Sequence, residues 1–355
     1  MKKLLSFAYR FTGFMAVFAV LLSVTLFTGC NEKQATLSIY NWEDYIDPEL
    51  VTEFEKKHNC RVVIDTFDSN ESMLAKIQAS DVGYDIIVPS TYTVDIMLRG
   101  DMLQKLDPQK LPNTMKYIDR VISKKLKDEN MQYSVPYLLS FSGIGYNAEK
   151  LGEAPKSWKI FTDERFKGRM TMLNDARETI GVGLLMLGYS VNTRDEKELE
   201  AARDLIISWK PNLAKFGVDD AKQELKNGEH YVVHGYSGDI MQFTLEDPNI
   251  QFTTPEEGVI FSADHLVIPK NAKNPELAHA FIDFLSDPEV SARNMEYTQF
   301  RAPNLEGIAK VSEELRNRSG FAVATEAFEK FPTIEDVGED IQKYQKVWDE
   351  IIAAQ

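Results

Sequence analysis

Cysteine is scarce in this chain of 355 residues, which contains only Cys30 and Cys60. Two cysteines exclude a disulfide framework and a cysteine-rich metal site. The five histidines are scattered without metal-ligand spacing, so no metal is expected. Cys60 lies at the start of an apolar segment, Val62–Ile64, where a thiol is more typical of a small buried residue than of a nucleophile.

Basic residues are also few compared with acidic residues. The first 29 residues hold three basic and no acidic side chains, which leaves 37 basic and 55 acidic side chains, a formal charge of −18, in residues 30–355. A field of this sign repels nucleic acid, which is therefore not an expected partner, and attracts cations. Many of these charges serve only to keep a surface soluble. The hydrophobic content of 43% is typical of a globular protein, and 326 residues suffice for two domains.

Long apolar runs are missing except for one near the start, Phe14–Phe27. Lys2, Lys3 and Arg10 precede it, and Thr28-Gly29-Cys30 follows it, as in a secretory signal. The run is too short for a membrane-spanning helix, which needs about 20 residues. Its end resembles the bacterial lipobox, so residues 1–29 are predicted to be a lipoprotein signal peptide. Residues 30–36 then form a tether whose Cys30 carries the lipid.

The alternative for this segment is an uncleaved membrane anchor in which Cys30 occurs by chance. Both interpretations place the remainder of the chain in the cell envelope, on the periplasmic or extracytoplasmic face, and attach it to a membrane. The sequence does not distinguish which membrane carries the anchor.

Beyond residue 36, apolar strands alternate with amphipathic helices. This alternation predicts α/β units with parallel strands. No polar linker separates two such units, which suggests that the chain crosses between domains more than once. The predicted strands are Leu37–Trp42, Arg61–Phe67, Tyr84–Ser90, Arg169–Asn174, Tyr231–Gly235 and Val259–Pro269. The predicted helices start at Asp47-Pro48 and Asn274-Pro275 or span Thr179–Leu187 and Glu196–Trp209, with further helices around Met73–Ile77 and Ile341–Ile351.

Acidic, aromatic and hydroxyl side chains follow these strands. Because open α/β sheets bind ligands at the carboxyl ends of their strands, we expect the side chains to converge on one site. Carboxylates beside aromatic rings suit an organic ammonium ion. For each group alone, a capping or turn role remains the alternative, and Asp44 and Asp175 are both candidate helix caps. The groups after strands are Trp42–Tyr45, Ser90–Tyr92, Asp175–Glu178 and Gly235–Asp239, and Ser262 with Asp264 lies within the long strand Val259–Pro269.

Four segments resemble the bacterial spermidine/putrescine-binding proteins: YNWEDYI, YDIIVPSTYTVD, NDARETIGVGLLMLGYSVNT and LVIPKNAKN. The resemblance implies a two-lobed receptor with the periplasmic-binding-protein type II fold, a hinge and an interlobe ligand cleft. It implies lobe 1 at residues 37–140 plus 264–309 and lobe 2 at residues 141–263 plus 310–355. It also implies a polyamine ligand, an ABC permease as partner, no cofactor, no catalysis and a monomeric receptor.

The resemblance also implies a set of ligand-binding residues. Three positions depart from the family pattern. Ser262 stands where an aromatic ring is usual, Phe300 replaces a tyrosine of the spermidine-preferring members, and a glutamine is missing near Ile334–Val337. Asp239 favours putrescine, with spermidine also bound. The implied ligand contacts are Trp42, Glu43, Asp44, Tyr45, Ser90, Tyr92, Asp175, Glu178, Tyr236, Asp239, Ser262, Asp264 and Phe300.

Two motif matches point elsewhere and are rejected. Gly143–Ala148 fits a dinucleotide-binding pattern by its letters, but a crossover strand between domains explains it better. Gly235–Asp239 is one glycine short of the serine-hydrolase elbow. Two alternative functions stay open: a receptor for another small solute, such as an amino acid, peptide or sugar, and a lipid-anchored hydrolase with paired carboxylates.

Overall fold

The computed structural model describes residues 34–79, 83–126, 128, 130–217, 219–318, 320–322, 328 and 330–354. The predicted signal peptide, Cys30 and most of the tether lie outside the described residues. Thr36–Gln355 forms one compact unit. None of the helices in the described ranges has the length and apolar character needed to cross a membrane.

The described strands form one sheet in the order β2-β1-β3-β9-β4-β7-β5-β6, and β8 pairs with β4. β1 is parallel to β3, and β5 is parallel to both β6 and β7, as the alternating pattern predicts. The strand predicted over Tyr84–Ser90 is reduced to two paired residues. The strands are β1 (Ala35–Asn41), β2 (Cys60–Thr66), β3 (Ile86–Ile87), β4 (Ser134–Asn147), β5 (Met170–Leu173), β6 (Leu213–Gly217), β7 (Val232–Tyr236), β8 (Ile250–Thr253) and β9 (Ile260–Val267).

Each helix predicted from the sequence is present. The first begins as expected, because the Asp47 carboxylate accepts a hydrogen bond of 2.8 Å from the Glu49 amide and Pro48 fills the first turn. The described α-helices are α1 (Pro48–His58), α2 (Asn70–Ala79), α3 (Thr91–Arg99), α4 (Pro112–Tyr117), α5 (Arg120–Lys125), α6 (Ala148–Leu151), α7 (Ala176–Met186), α8 (Glu196–Trp209), α9 (Asp219–Lys226), α10 (Ser237–Thr244), α11 (Pro275–Leu285), α12 (Pro288–Thr298), α13 (Leu305–Ile308), α14 (Glu313–Asn317) and α15 (Ile341–Ala353).

The centre of the sheet is the antiparallel pair β4 and β9. All 14 residues of β4 are buried, and its second half also pairs with β7 and β8. This long strand contains Gly143 and Gly145, so the crossover-strand interpretation is confirmed and the dinucleotide motif is excluded. A Cβ at Gly143 would lie 2.4 Å from the Phe252 ring, which explains why a glycine is needed there.

Two large apolar cores pack against different parts of this sheet. One is built from residues between 37 and 138 and between 266 and 321, with Met241, and it contains the buried Cys60. The other is built from residues between 122 and 263 and between 328 and 351. The chain therefore passes between the cores several times, as the missing linker suggested. The lobe boundaries given above stay a prediction.

Helix α3 places its apolar side chains in two smaller clusters beside these cores. Tyr92 and Ile96 on this helix pack in a small apolar cluster with Val191, Ile260 and Ile334. At the end of the helix, Arg99 forms an ion pair with Asp336. These contacts hold the two parts of the unit together next to the cavity described below.

Candidate ligand-binding site

A cavity of about 340 Å³ lies where the predicted strand ends converge. Twelve of the thirteen predicted ligand contacts line it. The exception is Asp44, whose side chain is exposed and whose backbone is left-handed (φ 53°), whereas its neighbours Glu43 and Tyr45 line the cavity. The other predicted residues that line it are Trp42, Ser90, Tyr92, Asp175, Glu178, Tyr236, Asp239, Ser262, Asp264 and Phe300.

Asp264 on β9 is buried and is held by two hydroxyl donors. Tyr45 donates to Oδ2 at 2.6 Å, and Ser90 donates to Oδ1 at 2.7 Å. The Ser90 hydroxyl accepts in turn from Asn70 Nδ2 at 3.2 Å. Burial raises the pKa of Asp264 to about 6, although the two hydroxyl groups oppose the shift. The carboxylate is therefore fixed in position and gains from a nearby positive charge.

A second acidic group stands at the start of α7. Asp175 caps this helix by accepting from the amides of Arg177 and Glu178 at 3.0 Å each, which confirms the capping interpretation. Burial raises the pKa of Asp175. Burial and the charge of Asp175 raise the pKa of Glu178 to about 8, and its buried Oε2 makes no hydrogen bond to the described part of the chain. These carboxyl groups can accept a cationic donor.

Glu71 on α2 is a cavity residue that the strand-end reasoning missed. Its Oε1 accepts from the Tyr92 hydroxyl at 3.1 Å, and burial together with the charge of Asp175 raises its pKa. Glu71 follows the end of β2, so the pattern used elsewhere, an acidic side chain soon after a strand, was also present there. Phe67, Asp68, Ser69 and Asn70, from the same segment, line the cavity as well.

Lys222 on α9 is the second residue that sequence reasoning missed. Its Nζ lies 3.3 Å from Oδ1 of Asp239, in the first turn of α10. Both residues line the cavity, and Lys222 is only 7% exposed. Asp239 therefore already has a cationic partner within the protein, unlike Asp264.

Aromatic rings form the walls of the cavity. Trp42 packs against Phe67 with ring centroids 4.4 Å apart, and its indole N–H donates to the Val88 carbonyl at 2.9 Å. Phe300 meets Tyr45 edge to face at 4.9 Å. Phe300 also requires glycine at position 238, because a Cβ there would lie 2.3 Å from its ring.

Beside these rings, Ser262 is two residues before Asp264 on β9 and faces the same cavity. It supplies a hydroxyl where a ring would close the wall. The third departure from the family pattern is the glutamine that is missing near Ile334. The segment around Ile334 lines the cavity, and so does Gln345 on α15. Sequence reasoning did not anticipate Gln345, because it lies on the final helix rather than at a strand end.

Arg177 also borders the cavity, but its guanidinium group is engaged elsewhere. It stacks over the Tyr344 ring at 4.3 Å and donates to the Glu335 carbonyl at 3.1 Å. It also donates to the Asn192 side chain at 2.8 Å. Arg177 thus fixes the segment around residue 335 against α15.

The lining is strongly acidic. Among the described residues that border the cavity, two side chains are cationic, Arg177 and Lys222, and seven are carboxylates. The described residues contain no cluster of three or more His, Cys, Asp and Glu side chains arranged to hold a metal ion. The cavity suits an elongated organic cation that has apolar segments between its charges. The carboxylates are Glu43, Asp68, Glu71, Asp175, Glu178, Asp239 and Asp264.

Known proteins are similar to this chain in sequence and in fold. Residues 49–322 match the family of bacterial extracellular solute-binding proteins. The spermidine/putrescine-binding periplasmic protein of Salmonella typhimurium is 34% identical over 322 residues, which cover 90% of this chain and 92% of that protein. The putrescine/cadaverine-binding protein of Pseudomonas aeruginosa is 30% identical, with 94% of this chain and 98% of that protein covered. The crystal structure of the TpPotD lipoprotein of Treponema pallidum is 34% identical, with a TM-score of 0.81, and covers 89% of this chain and 99% of that one.

The fold and the enclosed acidic cavity define a two-lobed α/β binding protein of the type II periplasmic class. The chain belongs to the family of bacterial extracellular solute-binding proteins. The fold class and the family resemblance drawn from the sequence motifs are thereby confirmed.

Proposed function

We propose that this protein is the solute-binding receptor of a polyamine ABC importer and that it binds putrescine, spermidine or both in the acidic cavity. Relatives with 30–34% identity over at least 90% of the chain are named for binding these amines. The observation that carries the proposal is the excess of carboxylates over cations in a ring-lined cavity, with Asp264 and Glu178 buried. Burying uncompensated carboxylates is costly, so the cavity is completed by a ligand that brings positive charge.

The raised pKa values support this proposal. Burial raises the pKa of Asp264 to about 6 and that of Glu178 to about 8, so the cavity without a cation disfavours their charged forms. An ammonium group about 4 Å from a carboxylate contributes on the order of 4 kcal/mol at an effective dielectric constant near 20. A ligand ammonium would therefore restore the ionised state of both groups.

Each part of a polyamine has matching side chains. Asp264 is assigned one ammonium group, and Asp175 with Glu178 is assigned another. The methylene groups lie against the rings of Trp42, Tyr45, Tyr92, Tyr236 and Phe300, at about 0.8 kcal/mol per buried methylene. Cation–π attraction adds roughly 0.5–2 kcal/mol for each ammonium that faces a ring. These contributions suffice for micromolar or tighter binding, about −8 kcal/mol, after the costs of association.

The remaining parts of the proposal concern the receptor as a whole. Lobe 1 comprises residues 37–140 and 264–309, lobe 2 comprises residues 141–263 and 310–355, and the two close around the amine. Lipidated Cys30 anchors the receptor to a membrane on its extracytoplasmic face, and a permease takes over the amine there. The receptor acts as a monomer, catalyses no reaction and needs no cofactor.

Isothermal titration calorimetry tests this function. Putrescine, cadaverine and spermidine are titrated into the protein without its signal segment, with glutamate and maltose as controls. We expect heat from at least one polyamine with a dissociation constant in the micromolar range or below, and none from the controls. Heat from an amino acid or sugar alone would overturn the proposal.

A further inference from the structure

The Lys222 side chain is an unusual component of a site for cations. Lysine is almost never fully buried unless it is paired, yet Lys222 is 7% exposed and faces the cavity. Its charge is balanced by Asp239 at 3.3 Å. A buried charge is retained only with such compensation, so the pair forms a fixed part of the cavity wall.

The carboxylates of the cavity lining influence one another. The charge of Asp239 raises the pKa of Asp264, and the charges of Asp175 and Asp264 raise the pKa of Glu178. Asp239 and Asp264 thus share one part of the cavity lining, and Lys222 pairs with Asp239 there at 3.3 Å.

We propose that Lys222 is a built-in counter-ion that restricts the site to diamines. This inference rests on the proposed polyamine-binding function. The two ammonium groups of a diamine can occupy the positions beside Asp264 and beside Asp175 and Glu178. A triamine that extends past Asp264 brings its third charge toward Asp239. Lys222 already neutralises that carboxylate and repels the additional ammonium group.

Calorimetry on a set of lysine variants tests the inference. Lys222→Met removes the charge, and we expect the affinity for spermidine relative to putrescine to rise at least tenfold. Lys222→Arg retains the charge and leaves this ratio near that of the wild-type protein. Lys226→Met is the matched control, because Lys226 lies one turn further along α9, pairs with Glu246 at 2.6 Å and is not part of the cavity lining.

A double variant identifies the partner. In Lys222→Met with Asp239→Asn, the gain in relative spermidine affinity disappears, because the carboxylate that Lys222 had neutralised is no longer there to receive the third ammonium group. Lys222→Gln removes the charge but retains a hydrogen-bond donor toward Asp239. If Lys222→Met does not fold, the affinity for spermidine relative to putrescine is measured in Lys222→Gln instead.

The wild-type protein provides a test that needs no variant. N1-acetylspermidine keeps the spermidine chain, extended by an acetyl group, but carries only two charges, so it should bind more tightly than spermidine. Equal or tighter binding of spermidine overturns the inference, as does an unchanged ratio in folded Lys222→Met or Lys222→Gln. If the wild-type protein binds neither putrescine nor spermidine, the proposed function itself is wrong.

Discussion

The two neighbouring carboxylates Asp264 and Asp239 differ in how they are stabilised. Asp264 receives hydrogen bonds from the hydroxyl groups of Tyr45 and Ser90, at 2.6 and 2.7 Å. Asp239 is paired with the Lys222 ammonium at 3.3 Å. Hydroxyl donors orient a carboxylate and leave its net charge in place, whereas an ammonium group cancels it. Of these two carboxylates, only Asp264 therefore offers uncompensated charge to a ligand.

This difference shows that the number of acidic residues in a cavity does not equal the number of cation positions. Asp239 looks like a ligand contact in the sequence because it follows a strand with a tyrosine nearby. The structure adds Lys222 from another helix, which changes the electrostatic role of Asp239 without moving it out of the cavity. Four experiments test the roles assigned to these carboxylates and to the cavity wall around them.

The largest effect is expected from Asp264→Asn. Removing one partner of a buried charge pair costs about 3 kcal/mol, so putrescine affinity should fall about a hundredfold, as measured by calorimetry. Asp204→Asn is the matched control, because the Asp204 side chain is exposed and pairs with Arg203 on the surface. A loss of less than tenfold in a variant that unfolds at the wild-type temperature would contradict the role assigned to Asp264.

The second effect is on the pH dependence of binding. With a pKa of about 8, Glu178 is mostly protonated at pH 6.5, and ammonium binding must release this proton. Putrescine affinity should therefore rise roughly tenfold between pH 6.5 and 8. Glu178→Gln should bind more weakly and with a flatter profile. Titrations in phosphate and in Tris count the released protons, and an equal heat in both buffers would show that no proton leaves.

A smaller effect is expected from Asp239→Asn. Because Asp239 is engaged with Lys222, the variant removes a charge partner of the lysine rather than a ligand contact. The less compensated ammonium should lower putrescine affinity about fivefold, which corresponds to about 1 kcal/mol. If the loss equals that of Asp264→Asn in the same calorimetric assay, the two carboxylates do not differ in the way described.

The smallest effect is expected from Ser262→Trp. A ring at this position would close the wall beside Asp264 and give a longer amine an additional surface, worth about 0.7 kcal/mol. The affinity for spermidine relative to putrescine should then rise about threefold in competition titrations. Ser262→Ala, which removes the hydroxyl without adding a ring, serves as the control. An unaltered ratio in both variants would show that this wall does not set selectivity.

Much of the fold could be predicted because its signals are local. Glu196–Trp209 carries Leu199, Ala202 and Ile206 at helical spacing, and the structure forms the helix over that range. The strand-end rule explains Asp175, which follows β5, a strand parallel to β6 and β7. Asp264 also lines the cavity, but it lies within β9, which is antiparallel to its neighbours, so the rule does not account for its position. By contrast, Tyr84–Ser90 contains only a two-residue strand, since its continuous apolar run reflects burial rather than pairing.

The rest depends on contacts between distant segments. Lys222 follows β6, whose short sequence LAKFG does not stand out as a strand, so the strand-end rule gives no candidate residue there. The pairing of Lys222 with Asp239 links two different helices, and no spacing rule predicts it. Asp44 does not line the cavity, although Glu43 and Tyr45 do. The backbone of Asp44 is left-handed, so its side chain takes a different direction from those of its two neighbours.

Helix α3 has one mechanical consequence. Its first end adjoins Ser90, which holds Asp264, and its last residue is Arg99, which pairs with the mostly buried side chain of Asp336. Nine helical residues span roughly 14 Å as a stiff rod. The orientation of a carboxylate inside the cavity is thus coupled to an ion pair at the far end of this helix.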